Sequence, residues 1–289
     1  MILNASGCLD ALAAPDVARD LDAFVTKTVT PLPRGGNEPI RIAETDVGML
    51  NSIGLANPGI ERFVEDVLPS LSELGVPIWV SVGGFSAQEY ASLCSALDSR
   101  PEVATIELNV SCPNVAEPAD SAAEIVGAAR AATSKPLYAK LSAASGDVAG
   151  VGEAAAAAGA DGLSLLNTIR GLALDATTLA PILSTDTGGL SGPALRPIAL
   201  AAVFACYRAT GLPIVAMGGI ETGRHALEAI AAGASACALG TVLFRDPGAT
   251  ARIRAELAAE AASLGFESPA AARGKAHGDE VPLRLRHVA

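Results

Sequence analysis

Eight short apolar runs mark the chain: ILNAS (2–6), AFVTKTV (23–29), PIWVSVGG (77–84), TIELNVSC (105–112), PLYAKLS (136–142), ADGLSLLN (160–167), LPIVAMGG (212–219) and ACALGT (236–241). Each has the length of a strand, and most carry β-branched or aromatic residues. Between most of them lie amphipathic or alanine-rich stretches, at 60–74, 87–97, 119–133, 148–158, 195–210 and 223–232, each long enough to be a crossover helix.

Strands alternating with helices predict an α/β fold with a parallel sheet. No G-x-G-x-x-G follows the first strand, which argues against an open doubly wound sheet. Eight βα units favour closure into a single (β/α)8 TIM barrel, and about 250 residues suffice for one. Three insertions interrupt the spacing, at 31–55, 112–120 and 168–191, each following the carboxyl end of a strand. Barrels build their sites on the loops at that face, so these insertions are the candidate lids and substrate walls. Residues 1–267 read as one domain. From Ser268 apolar periodicity is lost and charges mix, which predicts a partly disordered tail over 268–289.

Composition narrows the function classes. A net charge of −11 without a Lys/Arg cluster lacks the electrostatic footprint of a nucleic-acid binder. No apolar run approaches the ~20 residues that a membrane helix needs. The start, MILNASGCLD, enters a strand directly with no basic or hydrophobic leader, and predicts a cytoplasmic protein. The five cysteines, Cys8, Cys94, Cys112, Cys206 and Cys237, are odd in number and scattered. That pattern disfavours a disulfide framework, a zinc ribbon or an iron–sulfur cluster held by this chain alone.

The candidate chemistry gathers at strand ends. Glycines recur in TGGLSGPA (187–194), MGGI (217–220) and LGT (239–241). Glycine at one strand end is ordinary punctuation, but two such ends one βα unit apart become neighbours in a barrel. Backbone N–H groups there can cradle a phosphate. Ser6, Lys27, Ser81, Asn109, Cys112, Lys140 and Asn167 converge on the same mouth. Lys27 and Lys140 sit inside apolar strands, where an ammonium either needs a partner or must snorkel to water. Asn51, Asn109, Asn114 and Asn167 suit an amide-rich ring, although turn formation explains Asn114 equally well. His225, His277 and His287 are not placed for a histidine triad or a zinc site. Cys94, Cys206 and Cys237 read as core thiols, whereas Cys112 stands at a strand exit just before Pro113.

With these residues assembled, the chain resembles family 1 dihydroorotate dehydrogenases, flavin enzymes of pyrimidine biosynthesis. The resemblance rests on NASG (4–7), VTKTVT (25–30), NSIGLANPG (51–59), ELNVSCPN (107–114), LLNTIRG (165–171), GGLSGPAL (188–195) and MGGIETG (217–223), in the family's order. It implies an FMN-binding barrel. Gly192, Gly218, Gly219, Gly240 and Thr241 would hold the FMN phosphate side, and Ser6, Lys27, Thr28, Ser81, Asn109, Lys140 and Leu166 would surround the rest. It implies dihydroorotate, oxidised to orotate, against Lys27, Asn51, Ser52, Ile53, Gly54, Leu55, Asn109, Asn114, Asn167 and Thr168. Cys112 would be the base, and cysteine there marks family 1.

NTIRG and TGGLSGPAL look more like the 1B than the 1A branch. The resemblance then implies a homodimeric core and a second subunit carrying FAD and a [2Fe–2S] cluster that delivers electrons to NAD. Three departures stand out. The chain begins only three residues before Asn4, where relatives carry a hairpin, so a shortened start and a less sealed barrel bottom are expected. KLSAASGDV lacks the proline and asparagine common after this lysine, and Ser81 replaces a frequent asparagine. Two other readings compete: a dihydropyrimidine dehydrogenase-like flavin domain acting on dihydrouracil, and a barrel that has lost its chemistry and serves as a binding subunit.

Overall fold

The structure, a computed structural model, describes residues 1–110 and 121–278. Its strands in chain order are β1 (Ile2–Asn4), β2 (Phe24–Val25), β3 (Ile42–Thr45), β4 (Gly48–Asn51), β5 (Ile78–Val82), β6 (Val103–Asn109), β7 (Leu137–Leu141), β8 (Gly162–Leu165), β9 (Ile169–Leu172), β10 (Thr187–Ser191), β11 (Ile214–Met217) and β12 (Ala236–Leu239). Eight of them form a parallel sheet in the order β1-β12-β11-β8-β7-β6-β5-β2. A parallel bridge between Leu3 and Ala23 joins its two ends and closes the barrel. Each of the eight apolar runs contributes one barrel strand.

Side-chain alternation divides the core in two. Ile78, Val80 and Val82 of β5 point outward into the large cluster shared with the helices, while Trp79 points into the barrel with Leu3, Val25, Val215 and Met217. Trp79 and Tyr138 meet there with ring centroids 4.7 Å apart. Leu108 is fully buried in the outer cluster, where truncation to alanine costs about 2–5 kcal/mol. Further along the inward-facing positions the residues turn polar, at Ser81, Glu107, Asn109, Lys140 and Ser164, all buried. The carboxyl end of the barrel is thus a polar floor above an apolar plug.

Two strands or helices differ from their sequence pattern for local reasons. In the run 23–29 the strand proper is only Phe24–Val25, next to the Ala23 bridge, and pairing returns at the Val29–Val82 bridge. Between them the Thr26 hydroxyl accepts the Ser81 N–H at 3.1 Å, taking a place that a backbone carbonyl would otherwise fill. The stretch 60–74 contains a π-turn, Phe63–Val67, just before Pro69. Proline has no N–H to give the regular ladder, and the Leu68 N–H bonds to the Phe63 carbonyl instead.

The first and third insertions do not remain separate loops. They fold together into an antiparallel sheet in the order β3-β4-β10-β9, with Met49 opposite Ser191 and Asn51 opposite Gly189. This sheet has a small core of its own, Ala43, Leu50 and Leu183. Ser52 and Thr185 join the two insertions through their hydroxyls at 2.5 Å. A side chain on Gly48 would strike the Ser191 carbonyl at 2.0 Å, so the crossing needs glycine there. The second insertion, 112–120, lies outside the described residues.

The expected tail begins in order. Short 3-10 turns at Pro269–Ala272 and Lys275–His277 lead to a His277 ring stacked on Phe204, centroids 4.0 Å apart. His277 Nε2 lies 2.8 Å from the Ala232 carbonyl. Residues 279–289 lie outside the described residues. No helix among the described residues is long and apolar enough to cross a membrane.

Candidate active site

The carboxyl ends of the barrel strands and the overlying sheet enclose one cavity. Of the sequence-derived candidates, it is lined by Ser6, Lys27, Thr28, Asn51, Ile53, Gly54, Leu55, Asn109, Lys140, Leu166, Asn167, Thr168, Gly192, Gly218, Gly219, Gly240 and Thr241. Ser52 and Ser81 stand behind this lining, in contact with Thr185 and Thr28 respectively. Cys112 and Asn114 lie outside the described residues.

A row of hydrogen bonds fixes the polar wall. Asn167 Nδ2 donates to Asn109 Oδ1 at 3.0 Å, and Asn109 Nδ2 donates to Thr28 Oγ1 at 3.1 Å. Thr28 Oγ1 also lies 3.1 Å from Ser81 Oγ and 3.3 Å from Ser6 Oγ. The single Ser6 hydroxyl proton is given to the Thr26 carbonyl at 2.9 Å, so Ser6 can only accept from Thr28. Thr28 has then spent its own proton, and Ser81 must donate to it. The direction of every bond in the row follows, and with it the orientation of the Asn109 amide. Tyr90 adds a hydroxyl donated to the Asn109 carbonyl at 2.7 Å.

The two lysines are held differently. Lys140 leaves a regular strand, and its Nζ lies 3.7 Å from Glu107 Oε1 with both side chains almost wholly buried. Lys27 comes from the break after β2 and lies across Gly7. A Cβ on Gly7 would sit 2.9 Å from Lys27 Cδ and 3.1 Å from Nζ, and its φ of +77° is itself unfavourable for other residues. The glycine of NASG is therefore what admits the Lys27 side chain.

At the opposite end, Gly192, Gly219, Gly240 and Thr241 come together. A Cβ on Gly219 would lie 2.9 Å from the Gly192 carbonyl and 3.0 Å from the Arg196 amide nitrogen. Thr241 donates to Ser191 Oγ at 2.8 Å, and the helices Arg196–Thr210 and Val242–Arg245 both begin here. Backbone kept bare of side chains beside two helix starts fits a phosphate group. The same cavity is lined by Leu166, Leu195 and Met217, apolar and suited to the face of a ring. The residues present therefore fit a ring compound with a phosphate tail, such as FMN.

Several lining residues escaped the sequence reading: Cys8, Ile42, Met49, Glu221 and Phe244 among them. Cys8 directly follows NASG, a position that could have flagged it. Burial pushes its thiol up against the opposing pull of Lys140 and, more weakly, Lys27. Burial likewise raises Cys94, Cys206 and Cys237 to about 12, so all four stay protonated near neutrality.

The closed parallel barrel, with a glycine cradle, the buried Lys140 and the half-buried Lys27 around one opening at the carboxyl ends of its strands, defines a (β/α)8 protein with a site at that face. The profile of the family described as dihydroorotate dehydrogenase matches residues 1–260, and the chain belongs to that family. It is 48% identical over 245 residues to the protein of Desulforudis audaxviator named dihydroorotate dehydrogenase B (NAD(+)), catalytic subunit, covering 82% of this chain and 80% of that one. The Geobacillus kaustophilus protein of the same name is 41% identical over 277 residues, covering 92% and 88%. These relatives place the chain in the 1B branch. In fold it matches a crystal structure of DHODH from Eimeria tenella in complex with ferulenol, with a TM-score of 0.80 at 22% identity over 96% of this chain and 85% of that one.

Proposed function

We propose that the protein is the FMN-dependent catalytic subunit of a dihydroorotate dehydrogenase, oxidising (S)-dihydroorotate to orotate in the synthesis of UMP. The observation that carries this is the meeting, in one cavity, of the glycine cradle at one end with two lysines and the directed asparagine row at the other. Gly192, Gly218, Gly219, Gly240 and Thr241 would hold the FMN phosphate, with Ser6, Thr28, Asn109, Lys140 and Leu166 around the rest and Ser81 supporting Thr28 from behind. When bound, FMN supplies a two-electron acceptor for the hydride that leaves C6 of the substrate.

The chain's own groups do the remaining work. The Lys27 ammonium balances the substrate carboxylate, and Asn51, Asn109, Asn114 and Asn167 pair with the ring amides, fixing which face of the ring is presented. Ile53, Gly54, Leu55 and Thr168 close the substrate chamber, while Ser52 pins its roof. Cys112, which follows β6, takes the proton from C5. A thiolate is needed for that; the resemblance to family 1 assigns it to Cys112, and burial, which raises the four other thiols, makes them poorer candidates. Electrons would leave through a partner subunit with FAD and a [2Fe–2S] cluster, from a homodimeric core in the cytoplasm. The catalytic unit would span residues 1–267, with 268–289 as an appendage.

The purified chain should be yellow, and dihydroorotate should bleach it without oxygen while dihydrouracil does not. Bleaching by dihydrouracil instead would transfer the protein to the dihydropyrimidine dehydrogenases, and a colourless protein that takes up no FMN would make it a binding subunit. Cys112→Ala should retain FMN and slow anaerobic bleaching by about 10²–10⁴. An unchanged rate would show that another group takes the proton.

A further inference from the structure

Glu107 lies two residues before Asn109 on β6 and shares its inward face. It is 1% exposed. Its Oε1 accepts no hydrogen bond among the described residues, and the nearest cation is Lys140 Nζ at 3.7 Å. On the far side of β7, Ser164 is in register with Lys140, and its buried hydroxyl also has no partner among the described residues. A carboxylate enclosed this way is costly unless paired, and a neutral residue of similar size would serve packing as well or better. The same interior accepts Trp79, Val215 and Met217 without difficulty. What the carboxylate adds is an anchor directly behind a lysine that reaches the cavity.

We propose that Glu107 is the positioning residue for Lys140. Its carboxylate holds the ammonium at the cavity floor and, with it, sets the charge that the bound flavin ring meets. The inference rests on the FMN reading above. It extends that reading to a residue that lines no part of the cavity and acts only through its partner. Removing Glu107 takes away the carboxylate that stands 3.7 Å from the buried Lys140 ammonium, whereas removing both takes away the pair.

The test is a double-mutant cycle read by FMN affinity and by the flavin midpoint potential, neither of which requires turnover. Glu107→Gln should weaken FMN binding by about 10-fold or more and move the potential, as expected when one member of a buried charged pair is lost. Glu107→Asp should fall between this variant and the wild type. In a Lys140→Met chain, Glu107→Gln should change neither quantity further. Wild-type values for Glu107→Gln, or an equal change with and without Lys140, would overturn the proposal. If Glu107→Gln does not fold, Lys140→Met is compared with the double variant, where agreement supports the proposal and a difference overturns it. A wild-type chain that binds no FMN would remove the FMN reading and this inference together, whereas FMN binding indifferent to Glu107 removes this inference alone.

Discussion

The ends of β2 and β7 carry the same residue and treat it in opposite ways. At β7 the strand runs on regularly, and Lys140 is enclosed against Glu107. At β2 the ladder breaks after Val25, and the half-buried Lys27 lies over the bare backbone of Gly7. One lysine is fixed from behind by a charge, the other from below by the absence of a side chain. The difference suits a division of labour in which Lys140 belongs to the permanent floor of the cavity and Lys27 to the face that meets the substrate.

The sharpest test of that division is to remove each lysine in turn. Lys27→Met should keep FMN and lower kcat/KM for dihydroorotate by about 10–100-fold, the range for a lost charged hydrogen bond. Lys140→Met should chiefly weaken FMN binding. Loss of FMN from both variants alike, measured by fluorescence titration, would erase the distinction.

Gly7→Ala probes only the β2 side. The positive φ alone costs the folded state about 1–2 kcal/mol, and the new methyl displaces Lys27. Activity should drop by up to about 10-fold with FMN affinity kept, since small misplacements of a positioning group are felt in rate. A Gly7→Ala enzyme with wild-type kcat/KM would mean that Lys27 does not depend on this contact.

Cys8 senses both lysines and provides the smallest effect. Its thiol is raised by burial and lowered by Lys140 more than by Lys27. Alkylation of Cys8 in the FMN-free chain should therefore need a more alkaline pH than for a free thiol. Lys140→Met should push the half-reaction pH further up than Lys27→Met does. The sign follows from charge: removing a cation disfavours the thiolate. A downward move in either variant would contradict the arrangement.

Most of this was legible in the chain because it is local. A strand announces itself by alternation, and seven of the eight barrel strands fall inside the quoted runs, β6 beginning two residues before its own. The glycine cradle follows from topology, since β11 and β12 are adjacent once the barrel closes. The joint sheet was not legible. Met49 and Ser191 are paired across most of a barrel's length of chain, and nothing in either segment alone names the other. Glu107 was overlooked even though a carboxylate inside TIELNVSC, on the same face as Asn109, marks a charge that needs a partner. The shortening of β2 depended on one threonine hydroxyl reaching a neighbouring strand, which no single-strand pattern encodes.

Gly192 touches two things at once. A Cβ there would meet Gly48 Cα at 2.7 Å, in the roof, while its carbonyl lies against Gly219 in the cradle. One residue bare of a side chain therefore ties the roof to the strand ends below it, and any substitution at position 192 would disturb both at once.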